Sequence, residues 1–157
     1  MTDPSFAGQP PGAPAGDGPS GPRASFGLRF VAWLIDIIIV GIVSQVITAI
    51  LGLEVAGSSA IQTLLALGYY GYLEGSASGQ TVGKRAVSIR VIDFSTGGAI
   101  GPGRALLRAV CRYLSAIPCL LGYFWMLWDK EKQTWHDKLS NSVVVPTSAY
   151  PVDAWPG

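Results

Sequence analysis

The sequence predicts an all-α integral membrane protein. The expected architecture is a two-span helical hairpin, then an amphipathic helix and a third helix that re-enters or spans the membrane, with a small cytoplasmic β element. Hydrophobic residues make up 49% of the 157 residues and charged residues only 13%, about half the charged fraction of a soluble domain. Two long apolar runs occupy the first half of the chain, and a basic segment follows them.

The first apolar run extends from Leu28 to Leu51 and has 24 residues, where about 20 are needed to cross the hydrocarbon core. It contains Arg29 near its start and Asp36 inside it. Its 15 Leu, Ile, Val and Phe residues favour insertion by about 4.5 to 9 kcal/mol, against about 3 kcal/mol for one central carboxylate. The run is therefore predicted to insert despite its charges, and an intramembrane charge is a candidate functional residue.

The second apolar run, Ser58 to Leu73, is shorter and ends in a cluster of tyrosines, which is typical of a membrane interface. Gly68 and Gly71 would permit close helix approach. The loop between the runs is only about six residues long and carries one charge, Glu54. Together the two runs predict a tight hairpin of two membrane spans.

Residues 75–104 are polar and carry an excess of positive charge. The basic residues are Lys84, Arg85, Arg90 and Arg104, against Asp93 alone. The positive-inside rule places this segment, and with it the N-terminus, in the cytoplasm. We therefore expect a multi-pass protein of the plasma (cytoplasmic) membrane, with Lys84, Arg85 and Arg104 on anionic lipid headgroups.

Two short segments have the alternating pattern of β-strands. Residues 86–93 are followed by a Ser-Thr-Gly-Gly turn, and residues 142–145 form a second β-like segment near the C-terminus. If these two segments pair, both lie on the cytoplasmic side.

The third apolar stretch, residues 105–128, is interrupted by charges. Arg104, Arg108 and Arg112 recur every four residues and form one basic stripe, so residues 103–115 are predicted as an amphipathic helix at the cytoplasmic interface. The remaining 116–128 segment is short for a span. Either it dips into the membrane and returns, leaving both termini cytoplasmic, or it crosses and places the C-terminus outside.

The ends of the chain are expected to be tails around one membrane domain, residues 25–146. Residues 1–24 are rich in proline and glycine and are predicted to be disordered and cytoplasmic, and residues 147–157 to be a flexible C-terminal tail. No cleavable signal peptide is recognisable. The net charge of +1 gives no indication of nucleic-acid binding.

No enzyme motif is recognisable in the sequence, and neither a cofactor nor a metal is expected. The one histidine, His136, precedes Asp137. Such a pair can shuttle protons near neutral pH, or it can be a satisfied pair at the membrane interface.

Four blocks of the sequence resemble the RDD family of small bacterial membrane proteins, named for one arginine and two aspartates. The blocks are GLRFVAWLIDIIIV (27–40), GQTVGKRAVSIRVID (79–93), RALLRAVCRYL (104–114) and WDKEKQTWHDKLSNSVVV (128–145). The resemblance implies that Arg29 is the family arginine and Asp36 the first aspartate. Asp137 fits the second aspartate best, with Asp129 as the alternative.

The resemblance implies no defined activity, although transport, including cation/proton antiport, has been suggested for the family. Two hypotheses therefore stay open: a non-enzymatic accessory or scaffold subunit whose intramembrane charges lock the helices, or a transporter component with Asp36 as an ion or proton site. Either would act as a homo-oligomer or with a membrane-protein partner. The candidate residues are Arg29, Asp36, Arg108, Arg112, Asp129, His136 and Asp137.

The charge pattern also predicts which side chains pair. Arg29 lies two helical turns from Asp36, about 10 Å along the axis, which is too far for a direct salt bridge. A buried carboxylate needs a cation and hydrogen bonds. We therefore expect Asp36 to contact Arg108 or Arg112, and Arg29 to lie nearer Asp129 or Asp137.

Overall fold

A computed structural model describes residues 21–116 and 121–156 of the chain. Within these ranges the protein is mostly helical with one two-stranded sheet. The elements are α1 (Phe26–Leu51), α2 (Val55–Gly75), α3 (Val82–Ala86), β1 (Ile89–Asp93), α4 (Gly101–Ala116), α5 (Leu121–Phe124), a 3-10 turn (Trp125–Leu127), α6 (Trp135–Leu139) and β2 (Ser142–Pro146).

Helix α1 begins at a serine cap and ends at a glycine. The Ser25 side chain accepts a hydrogen bond from the Leu28 backbone, and Gly52 closes the helix in the left-handed conformation (φ 63°). Its 26 residues span about 39 Å. Among the described residues it is the one helix long and apolar enough to cross a membrane, so the predicted second span remains a prediction.

Helix α1 has its small and polar residues inside and its large apolar residues outside. The buried residues recur every fourth position and comprise Ala32, Asp36, Val40, Ser44 and Thr48. The leucines, isoleucines and valines between them are mostly exposed. This distribution is the reverse of that in a soluble amphipathic helix.

Helices α1 and α2 form the predicted hairpin, joined by a turn of three residues, 52–54. The hydroxyl of Tyr69 near the end of α2 donates to Asp36 near the start of α1 (2.7 Å), so the two helices are antiparallel. Helix α4 packs along α2, and their backbones meet where Gly75 faces Pro102.

The predicted amphipathic helix is α4, but its basic stripe faces the protein interior. Arg108 is 1% exposed, whereas Leu106, Val110 and Leu114 are about half exposed. Arg108 or Arg112 was expected to reach inward toward Asp36, and Arg108 does lie inside the protein. A two-faced pattern does not specify which face is buried, and here buried acidic side chains attract the basic face.

After α4 the chain turns back toward the beginning of α1. The Tyr123 hydroxyl donates to the carbonyl of Arg112 (3.3 Å), and Phe124 stacks on Phe26 with 5.7 Å between ring centroids. Residues 117–120 lie outside the described residues. Both interpretations of the third apolar stretch, re-entry or a complete crossing, remain predictions.

The two β-like segments pair as an antiparallel ribbon, with Ile89 opposite Pro146 and Asp93 opposite Ser142. One face buries Ile89, Val91 and Val144 in the main apolar core. The predicted first strand, 86–93, begins later than expected, because Ala86 closes α3 and Ser88 adopts a turn conformation (φ 55°).

The C-terminal segment packs against the body of the protein, contrary to the predicted flexible tail. Tyr150 is buried, and the Trp155 indole donates to the carbonyl of Gln80 (3.1 Å). Of the predicted N-terminal tail, residues 1–20 lie outside the described residues. Ala24, however, is buried and donates its N–H to Val144 (2.9 Å), so the body begins before residue 25.

The contact between α2 and α4 leaves no room for a side chain at position 75. A Cβ on Gly75 would lie 2.6 Å from the Cα of Pro102, whereas a Cβ on Gly68 in the same helix would meet nothing within 4 Å. We expect Gly75→Ala to lower the free energy of unfolding by about 1 to 3 kcal/mol through overpacking. Gly68→Ala should be neutral or stabilising by up to about 1 kcal/mol. Chemical unfolding in detergent measures both, and equal effects would contradict the contact.

Candidate functional site: a buried ion network beside a cavity

Arg108 of α4 joins two acidic side chains from different helices. Its Nη1 donates to Oε2 of Glu74 (2.7 Å), and its Nε donates to Oδ1 of Asp137 (3.0 Å). A second guanidinium nitrogen also donates to Asp137. Both carboxylates are fully buried. Hydrogen bonds of this kind belong to the stronger class, because both partners are charged.

Glu74 is the acidic centre of the network on α2. It accepts hydrogen bonds from Lys84 (2.5 Å), Arg108 and Arg112. Sequence reasoning missed this residue, which lies between the second apolar run and the basic segment. The excess of basic residues in the 75–104 segment is the signal that could have identified it, because Glu74 is a single acidic residue between the apolar run and that segment.

Asp137 is the acidic centre on α6. Its Oδ2 accepts from Arg29 and from the N–H of Thr134 (3.0 Å), and Thr134 in turn caps the helix. Burial favours the neutral acid, but Arg29 and Arg108 hold the pKa of Asp137 well below its usual value. The predicted proximity of Arg29 to Asp137 is thereby confirmed, and Arg29 also donates to the carbonyl of Lys132 (2.8 Å).

Asp36 does not contact an arginine, so the predicted pairing with Arg108 or Arg112 is wrong. Its carboxylate accepts from the hydroxyls of Tyr69 (2.7 Å) and Thr81 (2.6 Å) and from the N–H of Gly83 (2.8 Å). No ion pair to Asp36 occurs within the described ranges. The two arginines are instead engaged by Glu74 and Asp137.

The carboxylate of Asp36 anchors the beginning of α3. Thr81 caps this helix through the Lys84 N–H, while the Thr81 hydroxyl and the Gly83 N–H both point to Asp36. A carboxylate at a helix N-terminus is electrostatically favourable. Position 83 admits only glycine, since a Cβ there would collide with the carbonyl oxygen of Ala32 and lie 2.8 Å from Asp36.

Lys84 is not at the headgroup layer, where the sequence placed it. It is buried, and its Nζ lies 2.5 Å from Glu74. Burial lowers the pKa of Lys84 to about 8, although Glu74 acts in the opposite direction. Arg85 is exposed with its guanidinium over the ring of Trp155 (4.7 Å).

The remaining predicted residues divide between the surface and the network. Asp129 pairs with the exposed Lys138 and accepts N–H bonds from its own loop, so it is not the partner of Arg29. Arg104 pairs with Asp93 and keeps 37% of its side chain exposed. His136 is buried, with Nε2 2.9 Å from the Thr134 hydroxyl.

A cavity of about 590 Å³ adjoins the ion network between α1, α2, α4 and α5. Arg29, Asp36, Lys84, Arg108 and Arg112 line one end. Apolar side chains of α1 and α2 line much of the remainder. The volume is within the range of small-molecule sites, about 300 to 1,000 Å³.

The sequence model of the RDD family matches residues 23–141, which cover the ion network and all its elements. The chain belongs to the RDD family. Arg29 and Asp137, which the resemblance implies as the family arginine and the better-fitting second aspartate, pair across the network. Asp36, implied as the first aspartate, occupies the separate site at α3.

Mycobacterial relatives share part of the RDD region. The chain is 36% identical over 77 residues to the proline-rich antigen of Mycobacterium leprae, an alignment that covers 49% of this chain and 30% of that protein. It is equally similar to the proline-rich antigen homolog of Mycobacterium tuberculosis, with 32% of that protein covered. The match thus spans about a third of each relative's length. No solved structure matches the chain significantly.

Removing Arg108 should leave two buried carboxylates with one counter-charge fewer each. We expect Arg108→Gln to lower the free energy of unfolding by about 3 to 5 kcal/mol. Arg104→Gln on the same helix is the matched control and should cost about 1 kcal/mol or less, because Arg104 is partly exposed. In the double variant with Asp137→Asn, the loss should be smaller than the sum of the single losses. Additive losses would contradict a direct pairing.

The buried histidine predicts a loss of stability in mild acid. Burial lowers the pKa of His136 well below 6.5. Below pH 6.5 the unfolded chain gains a proton on this histidine and the folded protein does not, so acid favours unfolding. We expect the free energy of unfolding at pH 5 to be about 2 kcal/mol lower than at pH 7. The measurement is denaturant unfolding in detergent at both pH values. His136→Gln should remove most of the difference, and an unchanged pH dependence would refute the assignment.

Proposed function

We propose that this RDD protein is a non-enzymatic accessory or scaffold subunit of a plasma-membrane assembly, with its buried charges locking the helices. The observation that carries the proposal is that all three family residues are engaged within the protein. Arg29 and Asp137 bind each other, and Asp36 accepts three hydrogen bonds. An ion carrier would need to break these contacts in each cycle, whereas a locking role needs them to persist.

The distribution of exposed side chains supports a membrane location. RDD family proteins are membrane-associated, and α1 could span a bilayer. The outward faces of α1 and α4 consist of large apolar residues, while Asp36 and Arg108 of these helices are buried. Such extensive apolar exposure is unusual for a soluble protein and is expected where lipid is the solvent.

The proposed topology places both described ends of the chain in the cytoplasm. The basic 75–104 segment favours that side by the positive-inside rule. The pairing of β1 with β2 keeps the C-terminal segment on the same side as this segment. Helix α4 then dips into the membrane, and the contact of Phe124 with Phe26 supports its return.

The partner in such an assembly would contact the outer face of α1. Ile42, Val46 and Ile50 on that face are 61%, 53% and 78% exposed. A second copy of this chain or another membrane protein can cover the face by helix packing. The relatives' name, proline-rich antigen, specifies no partner.

A transporter component is the second candidate function, because Asp36 and Arg29 also line the cavity. In that case Asp36 would bind an ion or proton from the cytoplasmic side. The three hydrogen bonds already made by its carboxylate favour the locking role over this one.

Cysteine labelling of whole cells tests the topology. With Cys111 and Cys119 replaced by alanine, we expect Glu54→Cys to react with an impermeant reagent in intact cells. Ala99→Cys and Asp153→Cys should react only after permeabilisation, since they lie in exposed loops on the opposite side. Labelling of Asp153→Cys in intact cells would require three complete spans, and labelling of Ala99→Cys would invert the whole topology.

Ion flux in proteoliposomes separates the two candidate functions. We expect the purified protein to give no cation-driven proton flux above that of empty liposomes, with circular dichroism confirming that it is folded. Asp36→Asn should lower stability without changing the flux. Flux in the wild type that vanishes in Asp36→Asn would overturn the locking role and favour transport.

A further inference from the structure

We propose that the cavity beside the ion network binds an amphiphile with an anionic head and an acyl chain, such as an anionic membrane lipid. The head would lie against the basic residues at one end and the chain along the apolar walls of α1 and α2. The proposal goes beyond the locking role. It rests on the proposed function only in that the protein is placed in a bilayer.

The side chains that line the polar end of the cavity carry more positive than negative charge. Four cations line it, Arg29, Lys84, Arg108 and Arg112, but Asp36 is the one acidic residue among the lining side chains. Glu74 and Asp137 form ion pairs with these cations but do not line the cavity. An anionic head is therefore favoured here and a free cation is repelled.

Two buried polar atoms at this end have no hydrogen-bond partner among the described residues. They are Nη1 of Arg112 and the hydroxyl of Tyr70, and both residues line the cavity. The Arg112 guanidinium lies over the Tyr70 ring, 3.9 Å from its centroid. Unsatisfied buried groups are rare and call for an explanation. Phosphate or carboxylate oxygens can accept hydrogen bonds from both of these groups.

The other part of the cavity suits an acyl chain. Ile37 and Val40 of α1 face Ala66 and Leu67 of α2 across it. The lining of α2 extends from Ser59 to Tyr70, about 16 Å along the helix axis, and includes the uncharged polar residues Ser59, Gln62 and Thr63. A free inorganic anion would not contact these apolar side chains. An amphiphile would contact both the basic end and the apolar part of the cavity.

The cavity opens to the surface that would contact lipid. Trp33 and Ile37 of α1 and Tyr113 of α4 line it and are also 42%, 38% and 50% exposed. A lipid could therefore enter sideways from the bilayer without passing through the ion network.

Competition for the site in detergent provides the test. The purified full chain would be mixed with equal amounts of dioleoyl phosphatidylglycerol and dioleoyl phosphatidylcholine, and retained lipid counted by native mass spectrometry. Parallel arms would contain oleate or inorganic phosphate alone. We expect retention of phosphatidylglycerol and of oleate, and little retention of phosphatidylcholine or phosphate. Phosphate binding as tight as that of phosphatidylglycerol would assign the site to a free anion and overturn the proposal.

Two pairs of variants test the binding of the anionic head and the binding of the acyl chain separately. Arg112→Gln should weaken retention of phosphatidylglycerol about tenfold, equivalent to about 1.4 kcal/mol, while Arg104→Gln outside the cavity should not. Ala66→Trp should fill the apolar part and abolish retention, while Leu64→Trp, whose position is outside the lining, should not. Tyr70→Phe removes only an unpartnered hydroxyl and should still weaken retention if Arg112→Gln fails to fold.

The outcomes distinguish this proposal from the proposed function. Equal retention of both phospholipids, or retention unaffected by Ala66→Trp in folded protein, would refute the lipid site. Resistance to extraction from membranes by alkaline carbonate, measured on the same proteins, tests membrane insertion independently. Loss of lipid binding with carbonate resistance intact would overturn the cavity proposal alone.

Discussion

Arg108 is the side chain on which the arrangement of the helices depends. It is almost completely buried between Glu74 of α2 and Asp137 of α6. Glu74 also binds Lys84 and Arg112, and Asp137 also binds Arg29, so one set of contacts joins five helices. Taking so many charges out of water is costly, and removing one partner from a buried pair is costlier still. The network therefore tolerates few alternative packings of these helices.

In the membrane location that we propose, lipid as the surrounding solvent would explain why such a network is needed. In water, burial of leucine and isoleucine would hold the helices together, but lipid tails are as apolar as these side chains. The exposed faces of α1 and α4 are accordingly apolar, and the specific contacts lie inside. Small residues act with the charges, because the Gly75 backbone lets α4 approach closely enough for Arg108 to reach Glu74.

Much of the architecture could be predicted from the sequence because its signals are local. Long apolar runs indicated the hairpin, and alternation indicated the two strands. The spacing of the charges placed Arg29 near Asp129 or Asp137. The orientation of the Arg108 stripe could not be predicted, because periodicity shows that a helix has two faces and not what each contacts. Glu74 was missed because it lies between the second apolar run and the basic segment and belongs to neither pattern. The site of Asp36 depends on α3, a five-residue helix with no periodic signal of its own.

This short helix connects the two polar sites of the molecule. Helices of five residues have little intrinsic stability, so the position of α3 must come from its contacts. Its first turn is held by Asp36 through Thr81 and Gly83, and its Lys84 side chain is held by Glu74. One acidic residue from each long helix thus fixes α3 from opposite sides. Because Glu74 also binds Arg108, a shift of α1 against α2 would strain both sites together. Asp36 therefore acts with the ion network through α3, although the two make no direct ion pair in the described part of the chain.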